Sequence, residues 1–162
     1  MRKRIKYLFL CIVTIGLLVG CTNSSKEQNV ESFIRKLVSY DTYKDISSLE
    51  ESGRFIEDCK SIFGEYITDD AFDLLMANRI FTRYSSVISE ASAVTDINFT
   101  KTSETENDGY IHFEYEVSYK IELNGETVDM KDYMAFNVLD EKGYKIEKVS
   151  ISDKTSSIFK AF

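Results

Sequence analysis

The chain has 162 residues, with 20 basic against 27 acidic side chains, a formal net charge of −7, three cysteines, and neither proline nor tryptophan. An acidic chain with no basic stripe interleaved with aromatics is repelled by phosphate backbones, which excludes nucleic-acid binding. Three cysteines are also too few for a disulfide framework of the kind that staples small secreted folds.

The amino terminus is basic through Arg2, Lys3, Arg4 and Lys6, and residues 7–19 are mostly apolar. A membrane-spanning helix needs about 20 such residues. This shorter run has the layout of an export signal. It ends in Leu18-Val19-Gly20-Cys21, which resembles the lipobox of bacterial lipoprotein precursors. The resemblance implies a signal peptide over residues 1–20, cleavage after Gly20, and a diacylglyceryl group on the Cys21 sulfur. A thiolate is the nucleophile that such a transfer needs. It also implies a location: the extracytoplasmic face of the cell membrane, with the membrane as a partner through the lipid on Cys21. An uncleaved anchor and an ordinary signal peptide are the alternatives. With the signal gone, Cys11 is lost and Cys59 stands alone. The mature chain then carries 16 basic against 27 acidic residues, a net −11. Anionic lipid repels such a domain, so membrane contact falls to the acyl chains. One chain binds marginally and two bind stably.

In chain order, residues 21–29 read as a lipidated, flexible tether, because "TNSSKEQN" is polar and aperiodic. Asn29 reads as an N-cap. Val30, Phe33, Ile34, Leu37 and Val38 then follow at helical spacing. A second helix from about Ser52 carries Phe55, Ile56, Cys59, Ile62, Phe63 and Tyr66, which places Cys59 on an apolar stripe as an inert thiol. A short helix through Tyr43, Ile46 and Leu49 is expected between them. A third helix starts at Thr68, with Phe72, Leu75, Met76 and Ile80 on its apolar face. Residues 81–91 give no clear period.

The period then changes to two. Residues 94–101 read as a strand, and 102–109 ("TSETENDG") as an acidic loop. From Tyr110 to Leu123 the alternation is strict. Ile111, Phe113, Tyr115, Val117, Tyr119 and Ile121 face one way, and His112, Glu114, Glu116, Ser118 and Lys120 the other. Asn124-Gly125 is a hairpin signal. The return strand carries Val128, Met130, Met134, Phe136 and Val138. A last strand over residues 144–152 slips phase near Lys148, where a bulge restores it. Helices followed by a long antiparallel meander predict an α+β domain over residues 30–155, with 156–162 as a C-terminal tail. Strands this long predict a curled sheet. The order of elements and the hairpin placement resemble the cystatin-like superfamily, and within it the nuclear transport factor two-like and ketosteroid-isomerase-like cone. That resemblance implies amino-terminal helices packed on a curved four-stranded antiparallel sheet, with a conical cavity between them. Several exported lipoproteins and conjugation-channel components of Gram-positive bacteria are similar in outline, and other members are enzymes.

The residues expected around such a pocket are Phe113, Tyr115, Tyr119, Asp132, Met134 and Phe136. Enzymes of the superfamily use a cavity acid with tyrosine or histidine. Here Asp132 falls in phase with Met130 and Met134, yet a rim position that reaches water is expected for it. The only histidine, His112, lies on the polar face. Asp69, Asp70 and Asp73 sit in a helix's first turns, where acids complement the macrodipole. No nucleophile elbow, phosphate loop or zinc spacing is present. No catalytic residue, cofactor or metal is therefore expected. The expected function is that of a non-enzymatic binding module in a cell-envelope or conjugation-related assembly, taking an unidentified protein or a small apolar ligand. An isomerase- or dehydratase-like enzyme is the alternative.

Overall fold

The computed structural model describes residues 24–44, 46, 52–139 and 143–161. The signal run, the lipobox with Cys21, and Leu49 lie outside the described residues. Five helices and four strands are present among those described. They are α1 (Ser24–Val38), α2 (Tyr40–Tyr43), α3 (Ser52–Phe63), α4 (Asp69–Ala77), α5 (Ile80–Ile88), β1 (Ala93–Asn107), β2 (Tyr110–Leu123), β3 (Glu126–Leu139) and β4 (Ile146–Ile151). A 3-10 turn, Ser157–Phe159, closes the described chain. The strands form one antiparallel sheet in the order β1-β2-β3-β4. The class is α+β, with the helices on one face of the sheet, as the element order predicts.

The alternation in β2 does what it promises. Phe113, Tyr115, Val117, Tyr119 and Ile121 are all buried, while their neighbours on the other face are half-buried or exposed. Met130, Met134, Phe136 and Val138 of β3 continue the buried face. The helices cover it with their own stripes. Phe33 of α1 meets Phe63 of α3 edge-on at 5.6 Å and Phe136 of β3 at 6.1 Å, and Phe63 stacks on Phe81 of α5 at 4.6 Å. One aromatic cluster thus joins three helices to the sheet. Each such side chain contributes about 1.5–3 kcal/mol by burial. Asn124 (φ 53°) and Gly125 (φ 83°) are both left-handed, the geometry that a two-residue hairpin turn requires. The bulge expected near Lys148 is present, since Lys148 pairs with Asn137 but Ile146, two residues back, pairs with the adjacent Val138.

Several expectations are corrected. Helix α1 starts at Ser24, five residues before the expected N-cap, so residues 24–29 are not a tether. Asn29 lies inside the helix, and its Nδ2 donates to the Tyr66 and Tyr144 carbonyls at 3.0 and 2.8 Å. The polar residues of these turns make contacts of their own, Glu27 with Lys101 and the Tyr115 hydroxyl. Ile56 is 44% exposed, outside the buried stripe of α3. The expected third helix breaks in two at Arg79 (φ 58°), and Ile80 opens α5 instead of closing α4. Strand β1 runs on to Asn107, so the expected acidic loop is strand, and only Asp108-Gly109 turns. A register shift between Lys101 and Ser103 lets these polar residues pair with β2. The tail is not free either: Ser156 is fully buried and Ile158 nearly so.

Candidate functional site

All six expected pocket residues lie on the inner face, and all are buried: Phe113, Tyr115, Tyr119, Asp132, Met134 and Phe136. The five apolar or aromatic ones belong to one core with the helices, and Phe113, Tyr115, Tyr119 and Met134 also border surface depressions. Asp132 is the correction that matters. It is fully buried, not at the rim. Tyr84 of α5 and Tyr119 of β2 each donate a hydroxyl hydrogen bond to its Oδ2 at 2.8 Å, and the Ile158 N–H donates to Oδ1 at 3.1 Å.

The reason is in the strand edges. Strand β4 ends at Ile151, opposite Met134. Beyond that point β3 has no strand neighbour on this side among the described residues, and its backbone finds partners elsewhere. The C-terminal segment supplies them. Ser156 Oγ accepts from the Tyr133 N–H at 2.9 Å, Ser157 Oγ from the Lys131 N–H at 3.0 Å, and the Ser152 N–H donates to the Tyr133 carbonyl at 3.0 Å. Asp132, between those two residues, points inward and holds the Ile158 N–H. The acid therefore ties the tail, α5 and two strands together.

Burial is the largest influence on Asp132 and pushes its pKa up. The hydrogen bonds from Ile158, Tyr84, Tyr119 and the Ser157 backbone oppose that push without cancelling it. Burial likewise drives the Tyr84 and Tyr119 hydroxyls well above 10, with the Asp132 charge as the next cause. The donors to this carboxyl are neutral groups. The Tyr43 hydroxyl, which adds a smaller like-charge effect on both tyrosines, is buried and has no partner among the described residues. An isomerase-type base needs a perturbed acid and also room beside it. Surface depressions of about 150 and 360 Å³ exist among the described residues. None of these is lined by Asp132 or Tyr84, and one of about 360 Å³ reaches Tyr119 and Met130.

A second polar cluster sits where the first turns of α1 meet β1 and β2. Lys101 Nζ contacts Glu27 at 3.0 Å and Glu104 at 2.6 Å, and the Tyr115 hydroxyl donates to Glu27 over a long 3.4 Å. These side chains keep about a third of their surface in water, so each pair contributes about 0–1 kcal/mol. Glu104 is the main cause of the raised pKa of Lys101. A depression of about 150 Å³ opens here, between Ser25, Lys26, Glu27, Glu104, Phe113 and Tyr144.

The remaining candidates go elsewhere. His112 is on the outer face, with Nδ1 2.8 Å from Asn137 Oδ1 and Nε2 3.4 Å from Glu114. Asp69 pairs with Lys60 at 3.0 Å in the first turn of α4. Cys59 is buried, and burial pushes its thiol up to about 12, which suppresses the reactive thiolate.

No family model matches the chain, and no curated protein matches it significantly. Among solved structures it is similar to an IcmL-like type IV secretion system protein from Legionella pneumophila, with 9% identity and a TM-score of 0.45 over 74% of this chain and 87% of that one. A variant of the chain Rd1NTF2_05 overlaps 44% of this chain and 58% of its own, with 22% identity and a TM-score of 0.27. At these values neither likeness speaks to function.

The pattern of apolar residues located the inner face and put Tyr119 near its acid, but it missed Tyr84 and the tail as partners. Tyr84 sits on a helical stripe with Ile80, Phe81, Val87 and Ile88, a signal that was present in a segment left without a period. Ser156, Ser157 and Ile158 carry no sequence signal that links them to β3, because that contact spans more than 20 residues. Glu27 and Lys101 were missed because the region around each was read as loop or strand end.

Proposed function

We propose that the chain is a non-catalytic, protein-binding lipoprotein domain, anchored through Cys21 on the extracytoplasmic face of a bacterial cell membrane. Its setting would be a cell-envelope or conjugation-related assembly. The observation that carries the non-catalytic part is the filled interior. The inner faces of β2 and β3 are buried against the helices, and the lone acid among them spends its oxygens on Tyr84, Tyr119 and Ile158. A filled interior also disfavours a small apolar ligand and leaves the outside of the domain for a partner. The anchor rests on the Leu18-Val19-Gly20-Cys21 sequence. No helix among the described residues is long and apolar enough to cross a membrane.

The enzyme reading has one observation in its favour: a buried carboxyl with a raised pKa beside two tyrosines. Desolvation alone accounts for that shift. A carboxyl whose oxygens already accept three hydrogen bonds keeps about one acceptor site, and it is fully buried under Tyr84, Tyr119 and the tail.

The anchor is tested by metabolic labelling with a fatty-acid analogue in a lipoprotein-processing host. Wild type should label and fractionate with membranes, and Cys21→Ala should do neither. Equal labelling of the two proteins would remove the anchor from this reading.

A further inference from the structure

Helix α1 begins at Ser24, three residues after Cys21. Three residues span at most about 10 Å. A tether of that length cannot let a domain tumble freely above a bilayer, so the place where α1 starts decides which end of the domain meets the lipid. That place is defined. Ser25, Lys26 and Glu27 line one depression with Glu104, Ile111, Phe113 and Tyr144. Lys26 lies 5.3 Å over the Tyr144 ring, and Lys101 joins Glu27. Asn29 then bolts the helix to the Tyr66 and Tyr144 carbonyls. The start of α1 is thus fixed at the end of the sheet that holds the β1–β2 turn, where Asn107 pairs with Tyr110 and Tyr110 with Leu139. The opposite end holds the Asn124-Gly125 turn. It lies the length of β2 away, roughly 45 Å for 14 residues.

We propose that the β1–β2 end of the domain, with Tyr110, Ile111 and Tyr144 at its rim, faces the lipid surface, and that the Asn124-Gly125 end stands away from it. This inference rests on the anchor proposed above. The chemistry of the end fits contact without insertion. Tyr110, Ile111 and Tyr144 are half-buried rather than projecting, and tyrosine favours the zone where apolar and wet surroundings meet. Where α1 starts, Lys101 offsets part of the charge of Glu27 and Glu104. The far end and the outer sheet face are left for a protein partner.

The test uses the full lipidated protein in liposomes that carry an energy-transfer acceptor on a fraction of their headgroups. A donor dye is placed on Asp108→Cys, in the β1–β2 turn, or on Glu126→Cys, beside the Asn124-Gly125 turn, both exposed positions. Buried Cys59 serves as the unlabelled background. Donor quenching should be several-fold stronger at position 108 than at position 126. About fifteen Gly/Ser residues inserted between Cys21 and Ser24 should shrink that difference, since such a linker reaches roughly 20 Å and frees the orientation. Protein that co-floats with the liposomes but shows equal quenching, or stronger quenching at 126, overturns the orientation and leaves the anchor standing. Protein that fails to co-float overturns both.

Discussion

Tyr115 and Tyr119 are inner-face tyrosines of the same strand, four residues apart, and each hydroxyl meets a carboxylate. Tyr119 donates to Asp132 at 2.8 Å, in a site closed to water. Tyr115 donates to Glu27 at 3.4 Å, at a wet end where Lys101 already neutralises the acid. Chemically similar pairs therefore do different work. The dry one has no cation and depends on three neutral donors to hold a charge or a proton. The wet one has the opposite charge at hand and contributes little, because water would serve either partner nearly as well. An acid beside a tyrosine in this fold is informative only once its burial and its spare hydrogen-bonding capacity are known.

The contrast is broken most directly by removing each acid. Asp132→Ala leaves two hydroxyls and one N–H buried and unsatisfied, and should cost about 3–5 kcal/mol in urea melts. Glu27→Ala should cost no more than about 1 kcal/mol. Similar losses at the two positions would mean that Asp132 reaches water after all. A loss as large is expected at Phe113, whose removal empties part of the packed face. Phe113→Ala should cost about 3–5 kcal/mol, and its outward neighbour Glu114→Ala should stay within about 0.5. Equal effects there would put the wrong face of β2 inside.

A smaller, pH-dependent difference sharpens the comparison. The folded state holds the Asp132 proton more tightly than the unfolded chain, whose aspartates titrate near 3.8. Above that value the native state carries more protons than the unfolded one. Stability contributed by this group is thus full below about 3.8 and is lost as pH rises through the folded-state pKa. Asp132→Asn removes the titration. Wild-type stability minus that of Asp132→Asn should fall as pH rises across this window, measured by parallel urea melts. A difference that is flat or that rises with pH would contradict the raised pKa. The smallest effect concerns Cys59. With its thiol near 12, only about one part in ten thousand is thiolate at pH 8, so native protein should react with maleimide far more slowly than protein in urea. Comparable rates would mean that α3 opens readily.

The sheet was legible in the sequence because a period of two over 14 residues admits only one buried face, and Asn124-Gly125 fixes the hairpin register. The helices were legible in their apolar stripes and not in their ends. Arg79 in the left-handed region gives no local warning that α4 stops, and the polar first turns of α1 look like linker until Asn29 is seen to bridge two carbonyls. Strand β1 was cut short at Lys101 because its polar second half has no buried face to announce it. Asp132 shows the limit most clearly. Its phase pointed inward, but the expected preference of a carboxylate for water pointed outward. What decides the matter is a serine-rich tail some two dozen residues away that a pattern of apolar positions does not weigh.

The central claim is that the space between helices and sheet is filled and closed, and two methionines sit in its floor as reporters. Methyl spectra of Met130 and Met134 can be followed while the domain is titrated with millimolar apolar and carbonyl-bearing fragments, with the Asp132 carboxyl carbon as a third probe. A filled interior leaves these resonances unmoved, with changes confined to exposed groups such as Val128 and Tyr133. Saturable shifts of Met130, Met134 and the Asp132 carboxyl by one fragment would show an accessible cavity at the acid and contradict the filled interior on which the non-catalytic reading rests.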